Sequence, residues 1–326
     1  MPQAIPPNKP IVAVCRALPG TIDIPSAQLR LAGEAALTRA QLLEHVRGAT
    51  ILITWVSERV DAEVLDAAGP QLRAVCNFAV GTDNIDLKAC QDRSITVTNT
   101  PNAVTEGTAD LAWMLVLAVA RRLIEADRFA RSPEYAARGP LGPTELVGQD
   151  LTGKTLLIIG AGRIGYAVAS RAKAWGMPIL YVARSQHVEF ELAPLAARRV
   201  TLEEGLPLAD VVSIHCPLTP ETRGLINART LGLMKPSAIL INTARGPIVD
   251  EAALVEALQA KRLYGAGLDV FEREPQVHPG LLPMTNVVLT PHIGSGAARF
   301  RSMMTDMACA NARAVLAGQQ PPNRVV

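Results

Sequence analysis

Glycines, arginines and histidines stand where this chain could do chemistry. The apolar run Leu156–Ile159 leads directly into Gly160-Ala-Gly-Arg-Ile-Gly165, after which residues 166–175 read as helix. A strand, a Gly-x-Gly-x-x-Gly turn and a helix in that order form a phosphate-binding arrangement. Gly160 permits the tight turn, Gly162 lets the backbone approach a pyrophosphate, Gly165 allows close helix–strand packing, and the helix N-terminus attracts the anion. In a chain with 24 glycines the pattern alone is weak, and its context carries it. The next strand ends in Ala183-Arg184-Ser185. An acidic residue there would hold the ribose hydroxyls of NAD, and none is present, whereas Arg184 and Ser185 can donate to a 2′-phosphate. These residues predict NADP(H) as the preferred cofactor, with NAD(H) possible.

Histidines occur only at 45, 187, 215, 278 and 292, so the search for an acid–base group is short. Three segments stand out: Asn242-Thr-Ala-Arg-Gly-Pro247, Gly267-Leu-Asp-Val-Phe-Glu-Arg-Glu-Pro275 and Thr290-Pro-His-Ile-Gly-Ser295. Each follows an apolar strand run, which places Arg245, Asp269 and His292 at or near the carboxyl ends of strands, where open α/β sheets bind ligands. The other histidines have plainer readings: His45 in a polar stretch of helix, His187 and His278 in loops, and His215 in a structural hydrogen bond at a strand end. Glu272 reads as a solvated loop charge, Glu106 and Asp110 as groups that tether a helix, and Trp113 and Met114 as core or interface. The five cysteines are odd in number and form no Cys-x-x-Cys pair, so neither a disulfide framework nor a metal site is expected.

The elements that must position these groups follow an alternating pattern. Strand runs at Ile11–Cys15, Ile51–Thr54, 74–78 and 95–98 are separated by helical stretches, which implies parallel strands and an α/β architecture. Residues 104–122 read as a helix that is apolar on most of its circumference and so buried on several sides. Residues 131–153 read as an irregular Pro/Gly loop. Six strand runs then follow, at 156–160, 179–183, 211–215, 239–242, 266–270 and 287–290, as a dinucleotide-binding sheet requires, and 296–318 closes the chain as helix. A length of 326 residues with 49% apolar composition suits two domains. A net charge of +2 without blocks of like charge disfavours nucleic acid as a partner. The longest apolar run, Leu111–Ala120, is half a membrane span, and Met1–Pro10 lacks the order of a signal peptide, so no membrane partner and a cytoplasmic location are expected.

Together with Ala79-Val-Gly-Thr-Asp-Asn84, Asn99-Thr-Pro-Asn102 and His215-Cys-Pro-Leu-Thr-Pro-Glu221, these motifs resemble the D-isomer-specific 2-hydroxyacid dehydrogenases, in order and spacing, from about Ile51 to the C-terminus. The run Met177–Arg184 is most similar to the bacterial NADPH-dependent glyoxylate/hydroxypyruvate reductases that also act on 2-ketogluconate and related 2-ketoaldonates. The resemblance implies two Rossmann-like or flavodoxin-like α/β domains. The NAD(P)-binding domain (103–291) would be inserted into a substrate-binding, catalytic domain (1–102 plus 292–326), with a cleft between them that closes on the substrate. It also implies a homodimer built on the linking helix and the Pro/Gly loop. The family's catalytic Arg falls on Arg245, its Glu on Glu274 and its His on His292. Its cofactor contacts fall on Val80, Arg163, Ile164, Cys216, Thr243, Ala244, Asp269 and Gly294, beside Gly160, Gly162, Gly165, Arg184 and Ser185. Relatives often carry tryptophans in the loop at 131–150, and this chain has none there, which leaves the size of the acceptor open.

The chemistry is consistent with that carry-over. Reduction of a 2-keto acid needs a clamp for the carboxylate, a hydride donor and an acid for the developing alkoxide. Arg245 offers a planar fork of donors for the carboxylate and keto group, and the amides around Val80 and Gly81 could bind the same carboxylate. His292 would be the general acid and Glu274 its orienting partner, since a neighbouring carboxylate favours the protonated imidazole. The expected activity is reduction of glyoxylate, hydroxypyruvate or a similar small 2-keto acid to the D-2-hydroxy acid. An NAD-linked phosphoglycerate or D-lactate dehydrogenase is the alternative enzyme, against which Ala183-Arg184 argues. A dinucleotide-sensing corepressor-like binding protein is the alternative of another class.

Overall fold

The computed structural model describes residues 9–326; of the opening segment Met1–Pro10, residues 1–8 lie outside the described residues. The chain forms two α/β units, each built on a parallel sheet. The first comprises the described residues up to Val104 together with Ser295–Val326, and the second is Thr105–Gly294.

The first unit holds β1 (Ile11–Val14), β2 (Gln28–Leu31), β3 (Ile51–Thr54), β4 (Ala74–Asn77) and β5 (Thr96–Thr98), in the flavodoxin-like order β2-β1-β3-β4-β5. β3 and β4 are buried along their whole length, as parallel strands covered on both faces must be. The helices α1 (Arg39–Val46), α2 (Ala62–Ala68) and α3 (Leu87–Asp92) each begin at a side-chain cap, where Thr38, Asp61 and Asp86 accept from the amides of Gln41, Val64 and Ala89. A long helix, Ala298–Leu316, returns to pack on β4. Sequence reading finds four of these five strands. β2 escapes it because Gln28-Leu-Arg-Leu is an edge strand with polar residues and one neighbour, so burial leaves no apolar run to read.

The second unit begins with α4 (Thr105–Ala120), α5 (Leu123–Ala130) and α6 (Pro133–Arg138). Its sheet contains β6 (Leu156–Ile159), β7 (Ile179–Val182), β8 (Arg198–Arg199), β9 (Val211–Ile214), β10 (Ile239–Asn242), β11 (Gly265–Leu268) and β12 (Val287–Leu289). All pairs are parallel and the order is β12-β11-β10-β9-β6-β7-β8, which reverses direction between β6 and β9. Such a switch point is where open sheets of this kind bind ligands. The sheet has one strand more than the six expected; β8 is two exposed arginines at the edge, with no hydrophobic signal.

One expectation for the helices needs adjustment, and the one for the linking helix agrees with the structure. Residues 133–138 within the expected loop are helical, because Ser132 caps the Tyr135 amide and Pro133 at the first position is preset for a helix. α4 is buried on most of its circumference, with Met114 exposed. It packs on β10, β11 and β12 and against α7 (Arg163–Lys173). The strand beneath it, Gly-Ala-Gly-Leu, leaves it room: a Cβ on Gly267 would lie 2.8 Å from Leu115 Cβ and 2.9 Å from Ile241 Cδ1. Among the described residues no helix is long and apolar enough to cross a membrane.

Candidate active site

At the switch point the three glycines of the loop have separate reasons to be there. Gly160 has φ +105°, and a Cβ on it would stand 2.5 Å from Cys216 N and 2.7 Å from His215 C, so the ends of β6 and β9 meet only because it has none. A Cβ on Gly165 would lie 2.4 Å from Gly160 O and 2.9 Å from Ile158 Cγ2, so α7 seats on the strand through that glycine. A Cβ on Gly162 would meet nothing within 4 Å. The protein itself requires the first and third glycines. The second faces open space at the N-terminus of α7, whose first turn has no side-chain cap and no acidic residue. Open space before a helix N-terminus that has no side-chain cap fits a dinucleotide pyrophosphate. Arg163 and Ile164 form the first turn of α7.

His215 and Cys216 follow β9 on the other side of this point. His215 Nε2 lies 2.8 Å from Ser213 Oγ, and burial pushes the imidazole down to about 3, so the ring is neutral and structural, as expected. Burial also pushes the Cys216 thiol up to about 11, which keeps it protonated.

Arg184 and Ser185 are exposed just beyond β7. Arg199 of β8 reaches back to them: its Nε and Nη2 donate to Ala183 O at 3.2 and 3.0 Å, and Nη2 donates to Arg184 O at 2.8 Å. Glu221 is held below the usual carboxylate range by the Thr219 hydroxyl first and by the charge of Arg184 in part. Sequence reading missed Arg199. Its only signal is a pair of arginines in an arginine-rich chain.

The charged residues gather at the ends of β10, β11 and β12. Buried Asn242 shapes the turn after β10, accepting from Ala244 N at 3.0 Å and donating to Arg245 O at 2.9 Å. Arg245 is half-buried with an extended backbone, and its Nη1 donates to Ala244 O at 2.8 Å. The hydroxyl of buried Thr243 has no partner among the described residues. Gly246 presses on the next segment so tightly that a Cβ would fall 1.9 Å from Phe271 C and O. Phe271 N in turn donates to Glu274 Oε1 at 3.0 Å, and Glu274 Oε2 lies 2.9 Å from His292 Nδ1. Burial pushes the Glu274 carboxyl up, but the His292 hydrogen bond and charge, the Phe271 amide and the charge of Arg245 outweigh it and hold it below its ordinary range. With Glu274 ionised, Nδ1 carries the shared proton and Nε2 is the ring atom left for a ligand.

His292 itself sits on left-handed backbone, φ +54°, in a turn held by Asp269. Asp269 is 1% exposed. Its Oδ1 accepts from Thr290 Oγ1 at 2.7 Å and Ile293 N at 2.8 Å, its Oδ2 accepts from Gly294 N at 2.8 Å, and its backbone O accepts from His292 N at 2.8 Å. Burial pushes this carboxyl up despite those donors. Glu251, also buried, accepts from Glu272 N at 2.7 Å and fixes the segment that carries Glu274; Glu272 is exposed, as expected.

The second unit thus brings Arg245, Glu274, His292, Asp269 and Gly294 into one connected group, and sets Gly160–Gly165, Arg184, Ser185 and Cys216 around the switch point. Val80 and Gly81 lie in the first unit, in the turn after β4. Asn242, Gly246 and Thr290 hold the charged group in place and were read only as parts of motifs. Among the described residues no group of His, Cys, Asp and Glu is arranged to hold a metal ion.

Comparison with known proteins adds a second line of observation. Residues 113–294 match the NAD binding domain of the D-isomer specific 2-hydroxyacid dehydrogenases. Over 293 residues the chain is 49% identical to a glyoxylate reductase of Thermococcus onnurineus, a match covering 90% of this chain and 87% of that protein. Among solved structures it is similar to the TT0316 protein of Thermus thermophilus, with 45% identity and a TM-score of 0.90, covering 97% of this chain and 100% of that one. It is also similar to the NADPH-dependent glyoxylate/hydroxypyruvate reductase of Sinorhizobium meliloti in complex with NADP and malonate, with 33% identity and a TM-score of 0.82, covering 98% and 97%.

Proposed function

The chain belongs to the D-isomer specific 2-hydroxyacid dehydrogenase family, and from that premise we propose that it reduces glyoxylate, hydroxypyruvate or a similar small 2-keto acid, 2-ketogluconate included, to the D-2-hydroxy acid with NADPH. The observation that carries the reading is the 2.9 Å pair between His292 and Glu274 at the end of β12, with the charge of Arg245 acting on the same carboxylate. The cofactor, when bound, supplies the hydride. Arg245 binds the substrate carboxylate and polarises the keto oxygen through its fork of N–H donors. His292 Nε2 delivers the proton to the oxygen as negative charge develops there, while Glu274 fixes the ring through Nδ1 and balances the imidazolium charge. In the oxidative direction Nε2 takes the hydroxyl proton instead.

The preference for NADPH rests on the end of β7, which offers Arg184 and Ser185 and no carboxylate. Arg199 holds the two carbonyls of that turn and adds a second positive charge. Asp269 has both oxygens engaged within the protein, so its part in cofactor binding is to hold the turn of Ile293 and Gly294. All five cysteines are unpaired thiols, which supports action in the cytoplasm. Exposed Met114 and Val147 support a homodimer formed on this face of the second unit.

Initial rates that cross NADPH and NADH with glyoxylate, hydroxypyruvate, 2-ketogluconate, pyruvate and bulkier 2-keto acids test the proposal. We expect the highest kcat/KM for NADPH with glyoxylate or hydroxypyruvate. Faster turnover of other acids with NADH would favour the NAD-linked alternative, and cofactor binding without turnover would favour the binding protein.

A further inference from the structure

The turn after β4 presents backbone donors in a way that depends on two asparagine side chains. In a trans peptide unit the carbonyl and the following N–H point in opposite directions. Three consecutive trans units of this turn have their carbonyls tied into the first unit: Ala79 O accepts from Thr100 N at 2.8 Å, Val80 O from Asn99 Nδ2 at 2.8 Å, and Gly81 O from Asn77 Nδ2 at 2.7 Å. The first two are anchored on the same segment, Asn99–Thr100. The N–H groups of the same two units, on Val80 and Gly81, therefore both face away from that segment, and neither has an acceptor among the described residues. Two adjacent amides aimed to one side form an anion cradle suited to a carboxylate.

The anchors are themselves fixed. Asn77 is buried; its Oδ1 accepts from Thr54 Oγ1 at 3.1 Å and from Asn84 Nδ2 at 3.3 Å, and its Nδ2 donates to Asn84 Oδ1 at 3.1 Å as well as to Gly81 O, so the carboxamide is held on both sides. Asn99 N donates to Asn323 O at 3.1 Å, and Asn99 O accepts from Asn311 Nδ2 at 3.2 Å, which pins the residue to the returning C-terminal segment. No charged group takes part in this scaffold, so the cradle contributes dipoles that need no reorganisation when an anion arrives.

We infer that Asn99 is a positioning residue for the substrate carboxylate, with Asn77 in support: its carboxamide sets the Val80–Gly81 peptide so that the Gly81 amide, beside that of Val80, donates to the carboxylate of the 2-keto acid. The inference rests on the proposed 2-keto acid reductase function. A carboxylate is held alike in the ground and transition states, so losing the anchor should weaken binding without slowing chemistry in proportion.

Asn99→Asp keeps the shape and replaces the donor with an acceptor that repels Val80 O; Asn99→Ala removes the group, and Asn77→Ser is the companion should either fail to fold. Steady-state kinetics would be read beside calorimetric binding of oxamate, the non-reducible amide analogue of glyoxylate, to the enzyme with NADP. We expect KM and the oxamate dissociation constant to rise together by about tenfold or more, with kcat and the cofactor dissociation constant changing far less. A lower Tm with both constants unchanged would make Asn99 merely structural and overturn the inference. Absence of wild-type turnover would sink the proposed function instead, and an oxamate constant that still moved in the variants would leave the cradle standing.

Discussion

The turn after β6 and the turn after β12 lie at carboxyl ends of strands in one sheet, and both require left-handed backbone. They reach it by opposite means. Gly160, at φ +105°, does so by having no side chain, and Gly165 is likewise an absence that lets a helix come close. His292, at φ +54°, carries a side chain that the proposed function uses, so glycine is no solution there. A non-glycine residue there costs about 1–2 kcal/mol, and the cost is offset by Asp269, which receives Thr290, Ile293, Gly294 and the His292 amide. Where only backbone must be presented, deletion of side chains suffices. Where a side chain must stand on strained backbone, a buried acid elsewhere in the sequence has to hold it.

The largest effect that bears on this comparison is expected at His292. His292→Gln should lower kcat by about 10²–10⁴-fold with the NADPH dissociation constant nearly unchanged, measured by rates and fluorescence titration. Near-normal turnover would remove the residue from the mechanism. Asp269→Ala should be next, leaving three donors without their acceptor, at a cost of about 3 kcal/mol or more and with kcat falling too. A variant matching the wild type in Tm and kcat would show that the turn needs no buried acid, and the contrast between the two turns would collapse.

The glycine turn divides more finely. Gly160→Ala should destabilise by about 1–3 kcal/mol, since its Cβ has Cys216 N in the way. Gly162→Ala should leave stability within about 0.5 kcal/mol and raise the cofactor KM. Equal losses of Tm at the two positions would mean that the open space before Gly162 has no ligand to admit.

The smallest effect is electrostatic. The folded Glu274 carboxyl lies below its ordinary range, so its contribution to stability is complete above the unfolded value and is lost as pH falls through the folded one. The Tm difference between wild type and Glu274→Gln should therefore shrink from neutrality to about pH 3. The effect is modest for a carboxylate a third exposed. A difference independent of pH would show that the pair does not act through charge.

These contrasts also mark what the sequence makes legible. β6 is an unbroken apolar run, and β9 and β10 are interrupted only by buried Ser213 and Asn242, because both faces of their sheet are covered; the glycine loop is legible because its requirements are local. β2 and β8 are edge strands whose polar residues answer to solvent, and α6 hides behind the prolines and glycines around it. The residues Arg245, Glu274 and His292 could be named from motifs, but what fixes them could not. Asn242 on the Arg245 turn, Asp269 beneath His292, Arg199 behind Arg184 and Asn99 behind Val80 all act by bonds from side chain to backbone. Such bonds leave no periodicity, and three of the four span more than a dozen residues.

β11 carries a consequence for anyone who would redesign this protein. Beneath α4 a Cβ on Gly265 would come 2.7 Å from Val119 Cγ1, and one on Gly267 would strike Leu115. The helix is located by how little lies under it, so its seat cannot be strengthened by adding apolar surface; even one methyl group would lift it off the sheet. Selection for a hardier enzyme would have to find its gains on the outer side of α4, around exposed Met114, and leave β11 as bare as it is.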